Sequence, residues 1–418
     1  MSYNTDILKP YKGLPKEIYI LFISKVVVAI GAFVYPMLTL LFTKKIGLDE
    51  SAAGNWISFI GLAYLPASLI GGKICDTFGR KRILVVCDLL AAACYVVCGF
   101  MEPSVNMIYM ICMGIFFFGL ADPAHSSIVA DVTTPENRDG AFSLTYLGFN
   151  IGFAVGPIIG GLLFEDHLRW FFLGDAITTA FATILIAIFV KETIHHSEDE
   201  VDETRVMEKK AEGSIISVVL QRPQILIFAV VLFGYNFAYS MWGFLMPLHV
   251  ESVYTGQGAS IFGKLSALNG LVVMMFTPIL TKLLIHKAHI RKMVYGGIMY
   301  LIGFSILGFV NYIAAFIASV FLFTLGEIIC AISSMPYINN NTPVSHRGRM
   351  NALLPLLFGA GYSVGPLVMG SILERTSISY TWHVISAVLV VSVICMMILE
   401  WFSSTKIIRE REKGRVEA

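Results

Sequence analysis

Residues 72–82 read Gly-Lys-Ile-Cys-Asp-Thr-Phe-Gly-Arg-Lys-Arg, and the stretches on either side of them decide the fold. Residues 52–74 before and 82–101 after are predominantly apolar, each about the 20 residues that a membrane-spanning helix needs. Between them, Gly79 permits a sharp turn. Arg80, Lys81 and Arg82 hold the turn in water on one side of a bilayer, and Asp76 is placed to face a helix N-terminus, where negative charge is favoured. The unit is a hairpin of two spans around a short basic loop.

Working outward, apolar runs recur at 17–43, 52–74, 82–101, 106–130, 141–164, 168–191, 223–250, 258–285, 293–310, 313–336, 350–373 and 380–403. They are referred to below as spans 1 to 12. The composition agrees: of 418 residues 56% are hydrophobic and 14% charged, with a mean hydropathy of +0.74, against about 25% charged in soluble domains. Alternate connecting segments hold 24 of the 30 Lys and Arg residues. The positive-inside rule therefore places both termini in the cytoplasm and the chain in the plasma membrane as a multi-pass protein. Lys44, Lys45, Arg169 and Arg375 fall outside, and Lys25 and Lys264 lie within spans.

The net charge of +1 gives no basis for nucleic-acid binding. The seven cysteines show no CxxC or Cys/His ligand spacing, so neither a disulfide framework nor a zinc site is expected. The first apolar run has spanning length and no small-residue cleavage pattern, and reads as span 1. The polar stretch 192–222, with HHSEDEVDE at its centre, divides the spans six and six and reads as a solvated cytoplasmic linker. The expected organisation is an N-terminal six-helix bundle over 1–191, this linker, and a C-terminal six-helix bundle with a cytoplasmic tail over 223–418.

An internal repeat supports the division. Gly152-Phe-Ala-Val-Gly156-Pro157 in span 5 is echoed by Gly361-Tyr-Ser-Val-Gly365-Pro366 in span 11, 209 positions on, half of 418. Gly161 and Gly370 keep the same offset. Thr134-Pro135 and Thr342-Pro343 match to within a residue, each followed by an arginine and a glycine. Two like halves are the architecture of alternating-access transporters, with the site near the midplane.

The motif Gly72-x3-Asp76-x2-Gly79-Arg80-Lys81 resembles the loop signature of the major facilitator superfamily. That resemblance implies an all-α integral membrane fold of twelve transmembrane helices in two pseudo-symmetric six-helix bundles. It also implies that this loop latches the halves on the cytoplasmic side, with Arg80 paired to Asp131 at the end of span 4 and Arg138 belonging to the same gate. Topology-setting charge alone is the plainer alternative. Gly152, Gly156, Pro157, Gly160 and Gly161 resemble the span 5 motif of the family's antiporter branch. The pattern has a further glycine where this chain has Ser143, and span 11 carries a similar run, so a pure packing role also stands; separately, the arginine of the family's span 4 proton-antiporter motif is replaced here by Ile115. The Asp122-Pro123 step resembles one group of bacterial drug:proton antiporters, and Thr-Leu-Gly-Glu327 a second.

Charges inside spans are costly and point to function. Lys25 in span 1, Asp122 in span 4 and Glu327 in span 10 stand out. Counted from Lys16 and Asp131, Lys25 and Asp122 each lie roughly 13 Å from the cytoplasmic boundary at 1.5 Å per residue, and could form an ion pair. Glu327, counted from Asn339, lies roughly 18 Å deep, with no cation of matching depth in its half; Lys264 should snorkel on the outer side. An unpaired buried carboxylate suits proton coupling. His125, one turn from Asp122, is either a relay or a hydrogen-bonded core histidine. Tyr235, Tyr239 and Trp242 share a helix face beside Asn236, as an aromatic wall for a cationic substrate or as packing.

The function expected is proton-coupled export of lipophilic or cationic small molecules, of multidrug efflux type, by alternating access. A proton symporter or uniporter importing a polar nutrient is the alternative. No nucleophile–base pair, metal cluster or phosphate-cradling loop suggests an enzyme, and no cofactor is implied. The partners expected are a small-molecule substrate, protons and the lipid bilayer, with the protein acting as a monomer.

Overall fold

The computed structural model describes residues 11–134, 137–193, 223–284, 286–341 and 347–416. Among these the chain is all-helical. The helices are α1 Lys16–Gly31, α2 Glu50–Phe78, α3 Arg80–Phe100, α4 Val105–Asp131, α5 Arg138–Phe153, α6 Gly156–Asp166, α7 Leu168–Phe189, α8 Pro223–Tyr239, α9 Leu245–Val253, α10 Gly258–Leu284, α11 His289–Ile306, α12 Ile313–Asn341, α13 Arg347–Arg375 and α14 Ile378–Val416. By length and composition, ten segments among the described residues can cross a membrane. Helices α11 and α13 stand where the sequence places spans 9 and 11.

Spans 1, 5 and 7 are interrupted rather than continuous. Proline lacks the N–H that would bond to the carbonyl four residues back, and each interruption lies about one turn before a proline. α1 ends at Gly31 ahead of Pro36, which opens a short 3₁₀ turn, Tyr35–Met37. α5 ends at Phe153 and α6 restarts with Pro157 in its first turn. α8 ends at Tyr239 and α9 begins at Leu245, just before Pro247. Pro157 thus lies in the first turn of a helix. Pro66, Pro123, Pro278 and Pro336 sit inside unbroken helices.

The chain divides into two compact units: residues 1–49, 59–202 and 246–271 in one, and 50–58, 203–245 and 272–418 in the other. In the first, α1 packs on α5 and α7, and α3 on α4 and α7. In the second, α8 packs on α13 and α14, and α11 on α12 and α14. This is the same set of neighbours, six spans on.

The sequence repeat becomes a repeated seam. A Cβ at Gly152 would lie 2.4 Å from the Ala29 Cβ, and one at Gly156 2.4 Å from the Ala29 carbonyl oxygen, so span 5 is seated backbone-to-backbone on α1. A Cβ at Gly361 would meet the Phe233 carbonyl oxygen at 2.3 Å, seating α13 on α8 in the same manner. Gly160 faces Phe33, and Gly161 faces the Ala259 carbonyl, so Gly161 receives the first turn of α10 within the first unit. At this end of the unit Lys44 pairs with Glu251 at 3.2 Å. Glu251 also accepts the backbone N–H groups of Gly256 and Gly258 at 3.0 and 2.9 Å, capping α10.

Candidate functional site

Three places gather the functional side chains. The first is the turn between α2 and α3. Gly79 has φ +105°, a conformation that glycine alone adopts without strain. Arg80 forms an ion pair with Asp131 at the end of α4, both side chains largely buried. The carboxylate of Glu192 accepts the backbone N–H groups of Arg80, Lys81 and Arg82 at 2.8, 3.3 and 3.2 Å. Burial alone would raise the Glu192 carboxyl, but these amides and that of Thr193 hold it below its ordinary value. Among the described side chains, the acid at the α3 N-terminus is Glu192, at the edge of the stretch expected to be a solvated linker. The side chains of Asp76 and Arg138 lie outside the described residues, as do residues 194–222.

The second place is a cavity of ≈ 130 Å³ in the first unit, lined by one face each of α1, α3, α4 and α7 together with Tyr64 of α2. Helical spacing explains the gathering: Phe118, Ala121, Asp122 and His125 on α4, and Thr179, Ala182, Thr183 and Ile186 on α7, follow the i, i+3, i+4, i+7 pattern of a single face. The cavity brings Lys25, Asp122 and His125 together as their depths suggested. No ion pair within 4.0 Å joins Lys25 to Asp122, however. Asp122 is hydrogen-bonded to the Tyr64 hydroxyl, and a second carboxylate, Asp88 of α3, lines the same cavity within the electrostatic reach of Lys25. Asp88 also accepts a hydrogen bond from the Thr183 hydroxyl at 3.3 Å.

Asp88 was missed from the sequence although it stands inside span 3 and meets the same criterion as the three charges chosen. Asp175 of α7 was missed likewise. It is 5% exposed and accepts the N–H groups of Phe33 and Val34 at 3.1 and 3.2 Å. Its role is structural: it satisfies amides that the break in span 1 leaves without a helical acceptor.

The third place, in the second unit, surrounds Glu327 of α12. Glu327 is half-buried and does not stand unpaired as expected: the Tyr239 hydroxyl is hydrogen-bonded to it. The Tyr239 ring lies 5.7 Å from Tyr300, 6.2 Å from Phe323 and 6.2 Å from Tyr362, and Trp242 lies 5.1 Å from Phe323. The aromatic wall divides by task. Tyr235 is 1% exposed and donates to the Met293 carbonyl, while Asn236 donates to the Phe358 carbonyl at 3.1 Å. These two tie α8 to α11 and α13, and Tyr239 reaches the carboxylate. Lys264 is exposed.

The model of the Major Facilitator Superfamily matches residues 21–333 and 288–417, and the chain belongs to that superfamily. It is a multi-pass membrane transporter and not an enzyme. It is similar to the Na⁺, Li⁺, K⁺/H⁺ antiporter of Planococcus maritimus, 21% identical over 80% of this chain and 84% of that protein. It is also similar to the multidrug resistance protein MdtH of Salmonella typhimurium, 27% identical over 41% of this chain and 42% of that one. A crystal structure of the peptide transporter POT in complex with sulfate superposes with a TM-score of 0.78 at 16% identity, covering 94% of this chain and 96% of that chain. The last likeness shows the fold.

Proposed function

We propose that the protein is a proton-coupled exporter of lipophilic or cationic small molecules, working by alternating access, with Glu327 as the coupling carboxylate. Twelve spans form two six-helix bundles, over 1–191 and 223–418, joined by the linker 192–222. The chain acts as a monomer in the plasma membrane with both termini cytoplasmic. The observation that carries the reading is the Glu327 site: a carboxylate within a span, hydrogen-bonded to Tyr239 and set beside the rings of Tyr239, Tyr300 and Phe323. A cation over such rings gains from their negative faces, and a carboxylate in an apolar setting exchanges a proton for that cation. The relatives named as an antiporter and as a multidrug resistance protein support exchange over import. Arg80, Asp131 and the Glu192 cap act as the cytoplasmic gate, together with Asp76 and Arg138, and the glycine seam of span 5 gives α1 its bearing surface.

The test uses purified protein in sealed vesicles with an imposed pH gradient and a fluorescent lipophilic cation. Antiport accumulates the substrate in the acidic compartment. Symport accumulates it in the alkaline one, which would establish the nutrient-import alternative. Glu327→Gln keeps an acceptor for Tyr239 and should abolish gradient-driven accumulation while leaving substrate-for-substrate exchange; undiminished accumulation in that variant would remove Glu327 from the coupling role.

A further inference from the structure

The cavity of the first unit is chemically unlike the Glu327 site. At ≈ 130 Å³ it has room for a handful of waters at about 30 Å³ each, well below the roughly 300–1,000 Å³ of drug-sized ligand sites. Its occupant is therefore small. Two carboxylates, Asp88 and Asp122, and one ammonium, Lys25, line it, a formal sum of −1 in a setting where uncompensated charge is disfavoured. A single positive charge completes it.

A second observation points to what carries that charge. Thr179 also lines the cavity, is 0% exposed, and its hydroxyl has no hydrogen-bond partner. Helical threonines ordinarily donate to a carbonyl one turn back, as Thr178 does to Gly174 at 2.9 Å; Thr179 does not. A proton placed on a carboxylate makes no use of this oxygen or of the space beside it, whereas a bound cation uses both. No group of three His, Cys, Asp or Glu able to hold a metal ion exists among the described residues, which disfavours a transition metal. Carboxylate and hydroxyl oxygens are the donors that hard cations prefer.

We propose that this cavity binds one small, hard monovalent cation, sodium or lithium, ligated by Asp88, Asp122 and the Thr179 hydroxyl oxygen, with Lys25 as the resident counter-charge. The site goes beyond the exporter reading and involves none of the residues around Glu327.

The experiment measures the unfolding temperature of the full-length protein in detergent, in sodium, lithium or choline chloride at equal ionic strength. Sodium or lithium should raise it saturably and choline should not, because a ligand that binds only the folded state stabilises it. Asp88→Asn should weaken the apparent sodium affinity by about tenfold or more. Thr179→Val gives an opposed pair of signs. It removes an unsatisfied buried hydroxyl, so it should raise the unfolding temperature in choline, and it should blunt the sodium response. If Asp88→Asn fails to fold, Thr179→Val carries the test. Equal responses to choline and sodium, a response that follows pH but not the cation, or a parental sodium response in the folded variants would each overturn the site. Proton-driven efflux is scored separately on Glu327, so either reading can fail alone.

Discussion

Five carboxylates of this chain differ in what they accept. Asp175 and Glu192 receive backbone amides and hold structure. Asp88 and Asp122 receive hydroxyls beside an ammonium, and Glu327 receives Tyr239 among rings. Depth along a span, the quantity legible in sequence, separates none of these roles, because it does not report which neighbouring helix presents a donor. That is why Lys25 and Asp122 were found while the second carboxylate of their cavity, Asp88, was not, and why Glu192 passed for linker. The Glu192 cap makes a pH prediction. Its folded carboxyl lies below the ordinary value of about 4.3, so its contribution to stability is complete above that value and disappears as pH falls through the lower folded one. The difference in unfolding temperature between the parent and Glu192→Gln should be constant from about pH 7 to 5 and close below about pH 4; a gap that persists in stronger acid would show that the charge is not the stabilising element.

At the scale of elements, the spacing of glycines in span 5 and its echo in span 11 announced close helix approach, and the packing of α5 and α6 on α1 and of α13 on α8 is that approach. The sequence could not say which helix lies in each seam, since glycine marks room without naming what fills it. The breaks were half legible: a proline follows each of the three within about a turn, but six others, Pro355 and Pro366 of α13 among them, run inside intact helices. The difference lies in whether freed amides find acceptors, and at span 1 the acceptor is 142 residues away in sequence. A stability series tests the seam. Gly156→Ala places a Cβ 2.4 Å from the Ala29 carbonyl oxygen and 2.8 Å from that of Ile30, both backbone atoms that cannot turn aside, and should destabilise by about 1–3 kcal/mol. Gly72→Ala meets nothing nearer than 3.8 Å and should leave stability unchanged or raise it by up to ~1 kcal/mol. Thermal unfolding in detergent measures both; equal losses would show that the seam is not where span 5 is held.

For the whole molecule, membrane class, family and helix order were legible from hydropathy, basic loops and one motif, because these properties are local in sequence. The composition of the compact units was not. Residues 50–58 at the start of α2 belong to the second unit, where a Cβ at Gly54 would meet the Pro366 carbonyl at 2.3 Å and Ser51 lies 3.5 Å from Ser371. Alternating access requires contacts of this kind to part once in each cycle. With cysteines at positions 51 and 371, oxidation should join α2 to α13 and stop transport, reduction should restore it, and the parent should ignore both treatments; continued turnover by the cross-linked protein would mean that this contact need not part. A last consequence concerns biogenesis, and it follows from Asp175. The amides of Phe33 and Val34 are synthesised 142 and 141 residues before the carboxylate that accepts them, an interval of roughly 10–30 s at ~5–20 residues per second. Until then this end of span 1 carries the Val34 amide without its acceptor, a donor that lipid cannot satisfy. An early helix of the chain thus settles late, waiting near water or the insertion machinery until α7 arrives.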